Sequence, residues 1–399
     1  MRTNRSVFSQ LLQPIDRRAF AAIVARHDGD AYDKKFKSWD HLVALIFAQT
    51  RGLCSLRSLE SDFNANSGAH YHLGAGALKR ATLSEANARR PVGVFADLFT
   101  RLSAQLDRQT RRDGADLVRL IDSTPVPLSR FLDFARSNGR IHGLKMHVVH
   151  DPCADRPMRV DVTPANVNDI EIGKKTEIEA GATYVFDKGY CDYAWWRQMH
   201  ADGAFFVTRP KTNARFSVIA ARPLGGPFEV CAGGLRGDGF TVTQDGEVAL
   251  ASKGDSKLPM RLRRITLERD ALKDGKPQKI TLITNDMHRS PVEIGALYKG
   301  RWTIELLFRW IKQHLVIRKF IGKTENAVKL QLFAAMIAFT LLRIAATHHD
   351  VTLSALRFVE LVGALLFDRR PIDALDEPPP KYVARKGRPS PNQLEWTWA

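Results

Sequence analysis

Tyr298, Arg301, Glu305 and Lys312 lie within one fifteen-residue run, YKGRWTIELLFRWIK. An apolar pattern from Pro291 to Arg318 predicts a single long helix around them. At about 100° per residue the four polar side chains share a stripe roughly 60° wide. Leu297, Ile304, Leu307, Phe308, Ile311 and Leu315 fall on the adjoining arc, which predicts a core-facing stripe. One carboxylate then stands at the edge of an apolar core, flanked by two cations and a phenol. An anionic substrate with a metal ion suits that edge. An ordinary i, i+4 surface pair of Arg301 and Glu305 accounts for the pattern equally well.

Two more carboxylates follow buried apolar runs. Leu117, Val118, Leu120 and Ile121 predict a strand that ends at Asp122 and is broken by Ser123-Thr124-Pro125. Ala182-Thr-Tyr-Val-Phe186 predicts another, ending at Asp187 and broken by Lys188-Gly189-Tyr190. A carboxylate at a strand end is a common site position in mixed sheets, but Asp122 serves equally as a turn or N-cap residue.

The spacing Tyr-x2-Arg-x3-Glu-x6-Lys resembles the YREK signature of the insertion-sequence-four type of bacterial transposase. Asp122-Ser123-Thr124 and Asp187-Lys188-Gly189-Tyr190 resemble that group's flanking motifs. The resemblance covers Leu117 to Lys312 well. It implies a DDE transposase with a ribonuclease H-like core, in which Asp122, Asp187 and Glu305 are catalytic and bind two Mg²⁺ ions, with Mn²⁺ as a substitute. It implies that Tyr298, Arg301 and Lys312 hold phosphates of the transposon end. It also implies cut-and-paste movement by a homodimer on paired ends, with terminal inverted repeats and target DNA as partners. One departure is Asn168-Asp169, where relatives often carry His-Asp; Asp169 is expected to cap a helix, and Trp302 to pack beside the site. A ribonuclease H-like nuclease or resolvase, and a non-catalytic DNA-binding descendant, are the rival readings.

The elements that must position these residues follow in order. Residues 1–108 read as an all-helical, DNA-binding domain. Its Thr82/Glu85 pair predicts a capping box for a short helix, Leu83 to Arg89, bordered by the basic residues Lys79, Arg80, Arg89 and Arg90. Residues 113–348 read as strand, strand, strand, helix (Asp169 to Ala180), strand, helix, strand. That order matches a mixed five-stranded sheet with helices on both faces, interrupted by a glycine-rich β insertion at about 209–288. Residues 349–399 read as a helix and a basic, Pro-rich tail. The fold class is therefore α+β and multidomain.

Composition agrees with a nucleic-acid partner. Lys and Arg outnumber Asp and Glu by 60 to 43 in 399 residues, a formal charge of +17, which favours a polyanion. The four cysteines form no CxxC pair, which argues against a zinc site or disulfide framework. The apolar run from Thr324 to Thr347 is interrupted by Lys329 and Arg343 and predicts a core helix, not a membrane one. A cytoplasmic, nucleoid-associated bacterial protein is expected.

Overall fold

The computed structural model describes residues 5–31, 33–112, 117–130, 132–224, 229–230, 240–250, 260–269, 278–315, 317 and 319–377. Its helices begin with α1 (Val7–Leu11), α2 (Arg17–Arg26), α3 (Ser38–Arg51), α4 (Leu56–Ala65), α5 (Ser67–Leu73), α6 (Arg80–Arg89) and α7 (Val92–Arg112). Then follow β1 (Val118–Pro127), the short β2 (Arg136–Ser137), β3 (His142–Asp151), β4 (Arg156–Pro164), α8 (Asp169–Gly173), β5 (Thr183–Phe186), α9 (Tyr193–Ala201) and β6 (Phe205–Thr208). β7 (Phe216–Ala221), β8 (Glu229–Val230), β9 (Phe240–Leu250), β10 (Arg261–Arg269) and β11 (Gln278–Thr284) precede α10 (Pro291–Gly300), α11 (Trp302–His314), α12 (Glu325–His348) and α13 (Ala355–Leu365).

The heart of the sheet is β4-β3-β1-β5-β6. β3 runs antiparallel to both β1 and β4, while β5 and β6 run parallel to β1. This is the ribonuclease H-like arrangement. The sheet is larger than the five strands expected. β11 pairs antiparallel with β6, and β10, β9 and β7 follow, so among the described residues the insertion extends the central sheet to eleven strands. Within it Phe240 to Leu250 form one continuous strand, β9.

Alternation along the central strands fills two cores. Val118, Leu120, Val185 and Val207 face Ile294 of α10, Ile304 and Ile311 of α11, and α12. Ile121, Tyr184, Phe186 and Phe206 face Trp195, Trp196 and Met199 of α9. The N-terminal helices share the first core. Leu42, Phe47, Phe95 and Phe99 belong to the same apolar cluster as α12. Among the described residues α12 alone is long and apolar enough to cross a membrane, and 78% of its apolar window is buried inside the protein. It is a core helix, as its charged interruptions predict.

Four local expectations need correction. β1 does not end at Asp122; it stays paired with β3 as far as Pro127. Its pairing with β5 stops at Ile121, so Pro125 lies where that edge needs no donor. α8 has five residues, not the twelve from Asp169 to Ala180. Its last residue, Gly173, packs so closely on Tyr190 that an added Cβ would lie 2.9 Å from the ring. α6 starts at Arg80, where Glu60 Oε1 accepts from the Arg80 amide at 2.8 Å, so Thr82 and Glu85 lie inside the helix and form no capping box. The single helix expected from Pro291 is two. Arg301 sits in a tightened turn, its amide bonded to the Tyr298 carbonyl and its own carbonyl to the Ile304 amide. Gly300 favours the break, and the Thr303 hydroxyl takes the Gly300 carbonyl at 2.8 Å.

Candidate active site

The site lies on the α11 side of the sheet, where the parallel ladder opens. Ile121 and Phe186 are the last partners of β1 and β5, so Asp122 and Asp187 leave the ladder side by side. Each is two residues beyond a side chain in the α11-facing core, Leu120 and Val185, so both carboxylates point to that face. Asp187 stands at the start of a 3₁₀ turn (Lys188–Tyr190) yet makes no side-chain capping bond to it, so its carboxylate is not spent on local structure.

Glu305 reaches the same place from the first turn of α11, where a negative charge suits the helix N-terminus. Ser290 starts the preceding helix with a capping box to Glu293 and Pro291 in the first turn, which fixes where α10 delivers the chain. The turn at Arg301 then aims its guanidinium at two carboxylates. Nη1 is 3.0 Å from Asp122 Oδ2, and Nη2 is 2.6 Å from Glu305 Oε1. The pair at i, i+4 is therefore not an ordinary surface one, because it takes in a strand residue 179 positions upstream.

Burial pushes the Asp122 carboxyl up to about 6; Arg301 and the Ser123 amide pull it down, while Glu305 and Asp187 push it further up. The same face holds a buried phenol. Tyr298 is 7% exposed, its ring 5.7 Å from the Arg301 guanidinium, and among the described residues its hydroxyl has no hydrogen-bond partner. Burial raises its pKa. Reaching a phosphate would require this covered hydroxyl to be uncovered. Lys312 lines an open cleft of about 430 Å³ with Asp122, Ser123, Thr124, Glu305, Phe308, Arg309 and Gln313. Trp302, expected to pack beside the site, is 45% exposed, with Arg309 5.7 Å from its ring.

The donor set is one of hard oxygens, the kind that suits Mg²⁺ or Mn²⁺. Among the described residues no three His, Cys, Asp or Glu side chains already converge on one point. Arg301 lies between Asp122 and Glu305, and a cation held by both must take the place of its guanidinium. The charge balance favours that exchange: an acid raised by burial and by two like neighbours lacks positive charge.

Asp169 is not the expected cap. Asn168 holds the N-cap position, and Asp169 is the first helical residue. Its Oδ1 accepts from the Ser123 hydroxyl at 2.8 Å and from Lys145 Nζ at 2.9 Å. The Asn168-Asp169 pair was the visible signal for it, but a spacing does not say which strand it will meet.

Of the N-terminal basic residues, Lys79, Arg80 and Arg89 are exposed, and Arg89 pairs with Glu85 at 3.0 Å. Arg90 leaves the expected DNA-binding set. It is 3% exposed, bonded to Asp33 and, at 2.9 Å, to the Phe36 carbonyl, so its charge is consumed inside the helical layer.

Comparison with known proteins bears on the same residues. A "Transposase DDE domain" model matches residues 113–341, and a model described as a domain of unknown function (DUF4372) matches residues 3–76. A Sinorhizobium fredii protein named "Putative transposase y4zB" is 56% identical over 317 residues, covering 79% of this chain and 85% of its own. A Geobacillus stearothermophilus protein named "Probable transposase for insertion sequence element IS5377" is 28% identical over 297 residues, covering 73% of this chain and 74% of its own. A solved synaptic complex of the piggyBac transposase with hairpin DNA aligns over 100% of this chain and 88% of that one, at 11% identity and a TM-score of 0.45. The ribonuclease H-like assignment stands on the strand order alone.

Proposed function

The chain belongs to the DDE transposases, enzymes of DNA cleavage and strand transfer that imply a divalent metal, and from that membership we propose that it moves an insertion sequence by cut and paste, using Asp122, Asp187 and Glu305. In this reading it binds the element's terminal inverted repeats as a homodimer on paired ends and joins the excised element to target DNA. The observation that carries the site assignment is the convergence of Asp122 from β1 and Glu305 from α11 on one guanidinium, beside Asp187 at the end of the next strand.

The three carboxylates would hold two Mg²⁺ ions, with Mn²⁺ as a substitute, and bound there the ions would supply activation of a water or 3′-hydroxyl and stabilisation of the leaving oxygen in a phosphodiester displacement. The chain's own residues do the rest. Buried Asp122, short of positive charge, would favour a cation beside it. Arg301 is the counter-cation of the carboxylates before DNA arrives. Displaced from them, it turns to a phosphate of the transposon end, for which its planar fork is suited. Tyr298, under that guanidinium, gains a partner for its orphaned hydroxyl. Lys312 adds a point charge at the cleft wall. Exposed Lys79, Arg80 and Arg89 extend the contact along the DNA backbone.

The test is cleavage of labelled DNA bearing the element's terminal repeat, with Mg²⁺ or Mn²⁺, by the wild type and Glu305→Ala. Metal-dependent nicking at the repeat boundary that disappears in the variant is expected. Cleavage indifferent to the repeat would indicate a general nuclease. Repeat binding without cleavage under either metal would indicate a non-catalytic DNA-binding protein.

A further inference from the structure

Behind the candidate site, on the opposite face of the sheet, lies a polar group that the proposed chemistry does not use. Ser123 follows Asp122 on β1 and points away from it, as alternation requires. On that far face it sits across from His147 of β3, with Lys145 two residues along. Asp169, at the start of α8, is the hub. Its Oδ1 takes the Ser123 hydroxyl at 2.8 Å and Lys145 Nζ at 2.9 Å, and lies 3.6 Å from His147 Nδ1. Its Oδ2 faces Gly189, two residues after Asp187, where an added Cβ would lie 3.4 Å away. One carboxylate is therefore bonded beside Asp122 and has its second oxygen turned toward the chain that follows Asp187.

We infer that Asp169 is a positioning residue for the active centre: through Ser123 and the Gly189 turn it sets where Asp122 and Asp187 stand relative to each other. The path to Asp122 is short. Asp169 fixes the Ser123 side chain, and the Ser123 amide donates to Asp122 Oδ1 at 2.8 Å. The carboxylate orientation is thereby tied to a bond made on the other side of the sheet. Lys145 balances the charge of Asp169 and is itself tied to the Val167 carbonyl at 2.9 Å. A carboxylate with its own ammonium partner is not a vacant cation ligand. It acts on the site through Ser123, as outer groups that orient metal ligands do.

The inference rests on the carboxylate assignment proposed above, and its test separates the two. Mn²⁺ binding to the full, DNA-free chain is measured from the free-ion paramagnetic resonance signal. The variants are Asp169→Ala, Asp169→Asn, Ser123→Ala and the Asp169→Ala/Ser123→Ala pair, each checked for wild-type circular dichroism. Asp169→Ala is expected to weaken Mn²⁺ binding about tenfold, the lower end for lost outer partners. Ser123→Ala should lose a similar amount, and the double variant no more than either, because both break one path. Asp169→Asn keeps an acceptor for the Ser123 hydroxyl and should retain most of the affinity. Wild-type binding in Asp169→Ala overturns the inference, as do losses that multiply in the double variant, or an Asn variant as weak as Ala. Glu305→Ala with wild-type Mn²⁺ binding instead removes the carboxylate assignment, whatever Asp169 does.

Discussion

The two faces of one strand end differ in how their charges are settled. On the α11 face, Arg301 is bound to both Asp122 and Glu305, with Asp187 at the end of the neighbouring strand, and burial holds the Asp122 carboxyl up at about 6. On the far face, Asp169 meets Lys145 and the Ser123 hydroxyl within 2.9 Å, and His147 Nε2 meets Thr163 Oγ1 at 2.9 Å. Burial keeps His147 neutral there, down to about 4. Asp122 and Ser123 are neighbours in sequence, yet one sits in an unresolved charge cluster and the other beside a carboxylate whose charge is matched by Lys145. The unmatched charge thus lies on the α11 face, and the carboxylate of the far face has its counter-charge beside it.

The contrast predicts substitutions of opposite sign, and the largest effect belongs to Asp122→Asn. A carboxyl raised from 3.8 to about 6 keeps a proton in the folded chain that the unfolded chain has already released. Stability therefore falls as pH rises through that window, and the full cost is present above it. Removing the charge should stabilise the metal-free protein by about 3 kcal/mol at pH 7 and by little at pH 4. Across the same window His147 works the other way: its lowered pKa makes stability rise with pH. The variant should therefore show a rising profile that Asp122 masks in the wild type. Urea titrations of both proteins from pH 4 to 7 check this; a difference that does not grow with pH would remove the idea of a desolvated Asp122.

Arg301→Ala comes next. Its side chain and that of Asp122 are each 18% exposed. Losing the shared counter-cation should cost about 1–2 kcal/mol, less than for a fully buried pair because the cleft admits water. Mn²⁺ binding in the DNA-free chain should tighten, since no guanidinium has to be displaced, while affinity for the repeat DNA should fall. Mn²⁺ binding unchanged or weaker in this variant would show that Arg301 does not compete with the ion.

The elements near the site were legible in the sequence where periodicity and motif agreed. The buried runs before Asp122 and Asp187 gave two strands, and their parallel pairing followed from the strand order the family resemblance implied. What escaped were features set by tertiary contact. The break at Arg301 depends on Gly300 and on Thr303 capturing a carbonyl, although the apolar stripe runs through without a gap. α8 stops where Gly173 meets Tyr190. Arg90 looks like a surface charge in a basic stretch, and only the fold brings Asp33 to it. The insertion looked separate because its alternation carries no information about which sheet edge it joins, and β6 supplied that edge. Asp169 belongs with these. Its partners come from β1 and β3, 46 and 24 positions away.

The smallest expected effect is the counterpart of the first, on the satisfied face. Asp169→Asn removes a charge as Asp122→Asn does and changes the side chain as little. Here the charge has an ammonium partner, with the two side chains 27% and 13% exposed, and in the variant that partner loses its counter-charge and keeps neutral acceptors, the amide oxygen and the Val167 carbonyl. The variant should therefore be less stable than the wild type, by about 1 kcal/mol, the net worth of one hydrogen-bonded pair open in part to water. Denaturant midpoints of the two variants, measured together at pH 7, should move in opposite directions from the wild type. If both rise, the far face is as frustrated as the near one. If both fall, Asp122 is paid for by its neighbours as fully as Asp169 is, and the division of labour between the two faces is lost.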